Sequence, residues 1–419
     1  MFATNTGKLL TILLIVVVVL STLALTTSAS AQQNKPPAVG LRPDAPPYAV
    51  HGPYWVGTRE FVIPDKMGNR PLPLTVWYPA LNPDGAAEQV TYSIEYPPVL
   101  PKEPISGHAL QDAKLDTQHG PYPLVIFSHG AFTWRYASLY FIEHLVSYGF
   151  VVMSADHVGD TAANLNDEGA FVRAHVNRPR DISREIDYAA TLTATGGGLD
   201  GMIDLQHVVV SGHSSGGWTT LLAAGARRDY SALNAWCAQY PKDQWTCGML
   251  KGQEKTLAGL LGLNAVPTGL WPSVGDPRVT ALILFEPGSI PAFGQDGLAS
   301  VTVPTMMFAS SGDTLLPFDI YAKPAYDDLG SQVKGMAVFE QGDHNLFANS
   351  CDCAPWLRNP DLFGLCSDSV WDMDRAHDLV NHLATVFLLD ILKGDKDAHK
   401  ALLPDAVKFV GLDYKTTLK

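Results

Sequence analysis

The chain has 419 residues, 46% hydrophobic and 17% charged, with 42 acidic residues against 29 Lys and Arg and a formal net charge of −13. That balance excludes a disordered tail-like protein and argues against nucleic acid or an anionic membrane surface as the main partner. No internal repeat, charge block or low-complexity tract divides the chain, so one large catalytic-size domain with insertions is the economical reading.

The N-terminus carries Lys8, an apolar run from Leu9 to about Leu25, and then Ala29-Ser30-Ala31. This order predicts a signal peptide over residues 1–31 with cleavage after Ala31, and a secreted, periplasmic or extracellular protein without a stable membrane span. An uncleaved N-terminal anchor is the alternative, because the run is near the length that crosses a bilayer. Residues 32–49 are proline-rich and read as a linker. Export places the five cysteines in an oxidising compartment, where pairing is expected. Cys237 with Cys247 is one candidate disulfide; Cys366 with either Cys351 or Cys353 is the other, leaving one thiol over. Zinc at Cys351-Asp352-Cys353 is disfavoured, since neither a C-x-x-C pair nor an H-E-x-x-H helix accompanies it.

Within residues 50–419, "TREFVIPD" and "LPLTVWYPA" read as an antiparallel pair at a sheet edge. A polar, proline-rich stretch from about Asp84 to Pro123 reads as a surface insertion. A regular alternation follows: "PLVIF", a helix around Ala137 to Ser147, "FVVMSAD", the helix of "RPRDISREIDYAATLTA", "HVVVSG", and the helix of "GGWTTLLAAGAR". Short apolar strands alternating with helices predict an α/β fold with a mostly parallel central sheet covered on both faces. The rhythm pauses over residues 228–278, which hold three tryptophans and Cys237 and Cys247. An insertion there is expected to form a cap above the strand ends, where ligands bind in such sheets. Strands resume with "VTALILFE", "VPTMMFASSGD" and "GMAVFEQGDH", and "AHDLVNHLATVFLLDILKG" is a closing helix.

The chemistry is expected where these strands end. Gly212-His213-Ser214-Ser215-Gly216 lies between a strand and a helix, the context that makes G-x-S-x-G a nucleophile elbow. A serine hydroxyl needs a base, and the base an orienting acid. In this chain order Asp313, directly after "MMFASSG", is the candidate acid and His344, after "AVFEQGD", the candidate base; Glu286 also ends a strand and is the alternative acid. His213, the variable position of the elbow, reads as a packed side chain. Oxyanion donors are expected from the backbone N–H groups of Ser215 and of Ala131, which follows the His-Gly pair of "SHGAF".

The pieces "HGPYWVGTREF", "LTVWYPA", "PLVIFSHGAF", "YGFVVMSADHVGD", "RPRDISREID", "SGHSSGG", "VPTMMFASSGDTLLP" and "GDHNLF" resemble an α/β-hydrolase of the bacterial group similar to platelet-activating-factor acetylhydrolases and dienelactone hydrolases, and more distantly the cutinase-like polyester hydrolases. They span roughly residues 50 to 350. The resemblance implies Ser214, Asp313 and His344 as a triad, and Ala131 and Ser215 as the oxyanion pair. Three departures stand out. Eukaryotic acetylhydrolases of this kind take the acid from the earlier strand, which keeps Glu286 in view; dienelactone hydrolases use cysteine where this chain has serine; cutinase-like enzymes lack a long cap. The implied activity is hydrolysis of short-chain or acetyl-phospholipid-like carboxylic esters, a small-molecule or lipid substrate, with no cofactor or metal required. A peptidase or amidase of the same fold and a non-catalytic binding protein on this scaffold are the rival readings.

Overall fold

The computed structural model describes Arg42, residues 44–65 and residues 70–419. The leader expected over residues 1–31, and most of the linker over 32–49, lie outside the described residues. The last linker residues, where described, are packed: a short 3-10 turn, Pro47–Ala49, lies against the final long helix, and the Tyr48 carbonyl accepts a hydrogen bond from His144 at 2.9 Å.

Among the described residues eleven strands make one sheet and two more form a separate hairpin. β1 (Trp55–Ile63) and β2 (Leu72–Leu81) are the expected antiparallel pair, Trp55 facing Ala80. β3 (Val90–Tyr96) and β4 (Leu100–Gly107) form the hairpin, and β5 (Leu110–Gln111) and β6 (Lys114–Leu115) are short edge pieces. The parallel part consists of β7 (Tyr122–Ser128), β8 (Val151–Ala155), β9 (Ile203–His213), β10 (Val279–Phe285), β11 (Thr305–Ser310) and β12 (Lys334–Phe339). An antiparallel β13 (Leu412–Thr416) closes one edge. The spatial order is β13-β12-β11-β10-β9-β7-β8-β2-β1-β5, with β6 paired to β2.

Among the described residues the α-helices are α1 (Leu139–Ser147), α2 (Ala170–Thr193), α3 (Ser215–Ala223), α4 (Tyr230–Gln239), α5 (Cys247–Leu250), α6 (Glu254–Leu260), α7 (Gly294–Ala299), α8 (Ala322–Asp328), α9 (Met373–Lys393) and α10 (Lys396–Ala401). The sheet is covered on both faces, and the period-two geometry of its strands sorts the core. Val209, Ile283 and Phe285 face α1 and α9, while Val208, Val210, Leu282 and Leu284 face α2, α3 and α8. Because both faces are buried, these strands read as continuous apolar runs rather than as alternating ones. The architecture is the expected α/β-hydrolase fold.

Two features differ from the sequence reading. The stretch after Asp84 is not featureless: Val90, Tyr92 and Ile94 are buried while Thr91, Ser93 and Glu95 are exposed, the alternation of a strand with one covered face. The prolines at 97, 98, 101 and 104 obscured that pattern. The chain also continues past the closing helix, which stops at Gly394 in a left-handed conformation (φ +64°), into α10 and β13.

Candidate active site

Parallel strands deliver their ends to a common edge, so the residues following β7, β9, β10, β11 and β12 converge there. Ser214 stands between β9 and α3 at φ +56° and ψ −112°, a conformation that costs a non-glycine residue about 1–3 kcal/mol. Its N–H donates to the Phe285 carbonyl at 2.9 Å, and its own carbonyl accepts from Gly217 at 2.9 Å and Gly288 at 3.1 Å, so the turn is over-determined. The flanking glycines are required by close approach. A Cβ on Gly216 would lie 1.8 Å from the Ser128 carbonyl oxygen, and one on Gly212 would lie 2.4 Å from the Gly216 carbonyl oxygen.

His344 opens a 3-10 turn after β12, and its Nδ1–H donates to Asp313 Oδ2 at 2.6 Å. Asp313, fully buried at the side chain, also accepts from the N–H groups of Leu315 at 2.8 Å and Leu316 at 2.7 Å. With Nδ1 committed, Nε2 of His344 is left as the ring's acceptor. The His213 ring lies 4.8 Å from that of His344 and donates from Nε2 to the His344 carbonyl at 3.0 Å. Burial, then the neighbouring His344, pushes the His213 pKa down to about 3, so it supports His344 as a neutral donor.

Glu286 is buried beside this group, at φ +39°, and the Ser310 N–H donates to its Oε1. Its Oε2 has no partner among the described residues. Burial, with the charge of Asp313 adding to it, raises its pKa well above the usual carboxylate range.

Ser214, His344, Ala131 and Ser215 all line one cavity of about 550 Å³. Neither the Ala131 nor the Ser215 N–H has a hydrogen-bond partner among the described residues. The cavity wall is apolar and aromatic, with Phe132, Trp134, Trp218, Trp245 and Trp356 among its residues, and none of them is Asp, Glu, Lys or Arg. Its roof has a source that the sequence reading did not foresee. From the 228–278 insertion only Trp245 reaches the wall; Val99, Leu100 and Ile105 come from the β3–β4 hairpin, and Ala354, Trp356, Leu357, Leu362 and Leu365 from the segment after His344. These two parts are joined by Ser106 N–H to the Cys353 carbonyl at 2.8 Å and Trp356 Nε1–H to the Pro104 carbonyl at 3.0 Å.

Disulfides join Cys237 to Cys247 and Cys351 to Cys366. The candidate Cys353–Cys366 pair does not form: Cys353 remains a thiol, its Sγ–H turned to the Ser106 carbonyl on the hairpin. No group of three or more His, Cys, Asp or Glu among the described residues is arranged to hold a metal.

Residues 103–169 match the family model of platelet-activating factor acetylhydrolase, isoform II. The matched stretch runs from β4 through the loop bearing Ala131 to the threshold of α2, and so stops short of Ser214, Asp313 and His344. It supports a hydrolase of the phospholipase or esterase type. The likenesses to dienelactone hydrolases and cutinase-like polyesterases rest on the sequence motifs alone.

The sequence reading missed the buried ion pair behind the Gly130–Ala131 loop. Arg178 and Asp160, both buried, lie within quoted motifs but were given no role. A signal was available: Arg178, Asp181 and Glu185 occur at helical spacing on the face of α2 that also carries Ile182, Ile186 and Ala189. Charges on the apolar face of a helix must be paired in the interior.

Proposed function

We propose that the protein is a secreted serine hydrolase that cleaves carboxylic esters through an acyl-serine intermediate. Ser214 Oγ attacks the ester carbonyl while His344 Nε2 takes its proton; Asp313 holds the imidazole through Nδ1–H and stabilises the imidazolium that forms. The developing oxyanion is received by the N–H groups of Ala131 and Ser215. His344 then returns the proton to the departing alkoxide, and water attacks the acyl-serine by the same route.

The observation that carries this reading is one cavity holding a strained serine at the start of a helix together with a histidine whose far nitrogen is bonded to a buried aspartate. The cavity's lack of charged residues favours an uncharged apolar ester in the interior; a zwitterionic headgroup, if the substrate is a phospholipid, would stay outside it. Two disulfides are in keeping with an oxidising compartment. No helix among the described residues is long and apolar enough to cross a membrane.

The test uses the chain from Gln32 onward with p-nitrophenyl esters of increasing acyl length, beside Ser214→Ala and a peptide p-nitroanilide. Ester turnover that disappears in the variant is the expected result. Anilide cleavage without ester cleavage would move the protein to the peptidases, and no turnover of either would remove the reading.

A further inference from the structure

The Gly130–Ala131 peptide is held from behind. Its carbonyl, on Gly130, accepts Arg178 Nη2–H at 2.8 Å, His129 Nδ1–H at 2.7 Å and the Thr133 hydroxyl at 3.1 Å. Arg178 also donates from Nη1 to the His129 carbonyl at 2.5 Å and from Nε to Asp160 Oδ2 at 2.6 Å. The second oxygen of Asp160 accepts the Phe132 N–H at 3.3 Å, and Phe132 takes a left-handed φ of +56°. Thus one buried ion pair grips the loop on both sides of Ala131.

A trans peptide is planar and its C=O and N–H point in opposite directions. Fixing the Gly130 oxygen toward Arg178 therefore turns the Ala131 N–H away from it, on the side where Ala131 lines the cavity. An oxyanion donor is effective when its direction is set before the charge develops. We propose that Arg178, with Asp160 as counter-ion, is the positioning residue that aims the Ala131 N–H at the reacting carbonyl. This rests on the serine hydrolase reading and extends it: Arg178 touches no substrate and acts through the Gly130–Ala131 peptide.

The guanidinium shape is essential to the argument. Three separate nitrogens serve two consecutive carbonyls and a carboxylate, which an ammonium group on a flexible stem does not reproduce. Arg178→Lys keeps the charge and loses the fork. Asp160→Asn keeps an oxygen for the Phe132 N–H and loses the charge that anchors the arginine.

The test measures kcat and KM for a short p-nitrophenyl ester in the wild-type protein, Arg178→Lys and Asp160→Asn, together with inhibition by an alkyl trifluoromethyl ketone, which binds as a tetrahedral oxyanion adduct. An uncleavable alkyl ether of similar size reports ground-state binding. In Arg178→Lys we expect kcat to fall about 100-fold, the loss typical of one oxyanion donor, with the ketone weakened in parallel. KM and ether affinity should stay within about threefold, since the apolar contacts are untouched. Asp160→Asn should show the same pattern at smaller amplitude. A folded Arg178→Lys with kcat within twofold of wild type overturns the proposal, as does a fall in kcat that leaves ketone binding unchanged. If Arg178→Lys does not fold, Asp160→Asn decides by the same criteria. Wild-type protein without Ser214-dependent turnover removes the function itself and this role with it, an outcome distinct from active variants.

Discussion

Asp313 and Glu286 follow neighbouring strands, and their surroundings separate their chemistry. Glu286 receives one backbone donor in full burial and carries an unpartnered oxygen, which favours the neutral acid. Asp313 is met by three N–H groups, one of them from His344. Asp313→Asn should therefore lower kcat by about 100- to 10,000-fold, because an amide cannot hold the histidine in the required tautomer. Glu286→Gln replaces a protonated acid by an amide of similar shape and should leave kcat within about threefold of wild type; steady-state kinetics on both variants checks the pair, and a larger loss in Glu286→Gln would reverse the assignment. The strained turn at Ser214 was legible in the sequence because its constraints are local, two glycines and a strand-to-helix change within a few residues. The grip of Arg178 on the Gly130 carbonyl was not, since 48 residues separate its partners.

At the scale of elements, the strand-helix alternation was legible because buried parallel strands need continuous apolar runs. The roof was not, because it assembles from two insertions about 250 residues apart, joined by hydrogen bonds to backbone carbonyls such as Ser106 N–H to Cys353 and Trp356 Nε1–H to Pro104, which no local sequence pattern announces. This arrangement gives the two disulfides different tasks. Cys351–Cys366 closes the segment that carries Ala354, Trp356, Leu357, Leu362 and Leu365 to the cavity wall, whereas Cys237–Cys247 ties α4 to α5, from which neighbourhood only Trp245 reaches the wall. Each closes a short loop and should contribute about 3 kcal/mol of stability. Replacing Cys351 and Cys366 by serine should raise KM for long-chain esters several-fold while changing acetate esters little. The Cys237/Cys247 double serine variant should lower Tm with KM near wild type. Acyl-length profiles of the two variants beside their melting curves check this; equal KM changes in both would show that the 228–278 insertion shapes the cavity as strongly as the roof.

Across the whole molecule, buried titratable groups set opposing dependences of stability on pH. Burial lowers the pKa values of His129, His144, His157, His175, His213, His377 and His382. The unfolded chain takes up these protons from about pH 6.5 downward while the folded chain does not, so this part of the stability is lost as pH falls below that value. Buried carboxyls work the other way. Glu143 is pushed from 4.5 up to about 8 by burial, with a smaller push from Glu88, against the opposing hydrogen bonds from His108 N–H at 2.8 Å and Tyr92 hydroxyl at 3.0 Å. A folded-state pKa above the unfolded one means that the stability tied to its proton is present below about 4.5 and is lost as pH rises through about 8. Glu185 and Glu286 are raised as well. Stability is thus expected to be greatest near neutrality and to decline on both sides. Glu143→Gln keeps a neutral group with a donor and an acceptor between Tyr92 and His108, so it should flatten the decline between pH 7 and 9 by about 1.4 kcal/mol, the one pH unit of that window lying below the folded-state value of about 8. The acid limb, set by the histidines, should become steeper between pH 5 and 6.5, because the opposing slope of Glu143 is gone. Urea unfolding of both proteins from pH 5 to 9 checks this, and parallel curves above pH 7 would show that Glu143 is ionised in the folded protein.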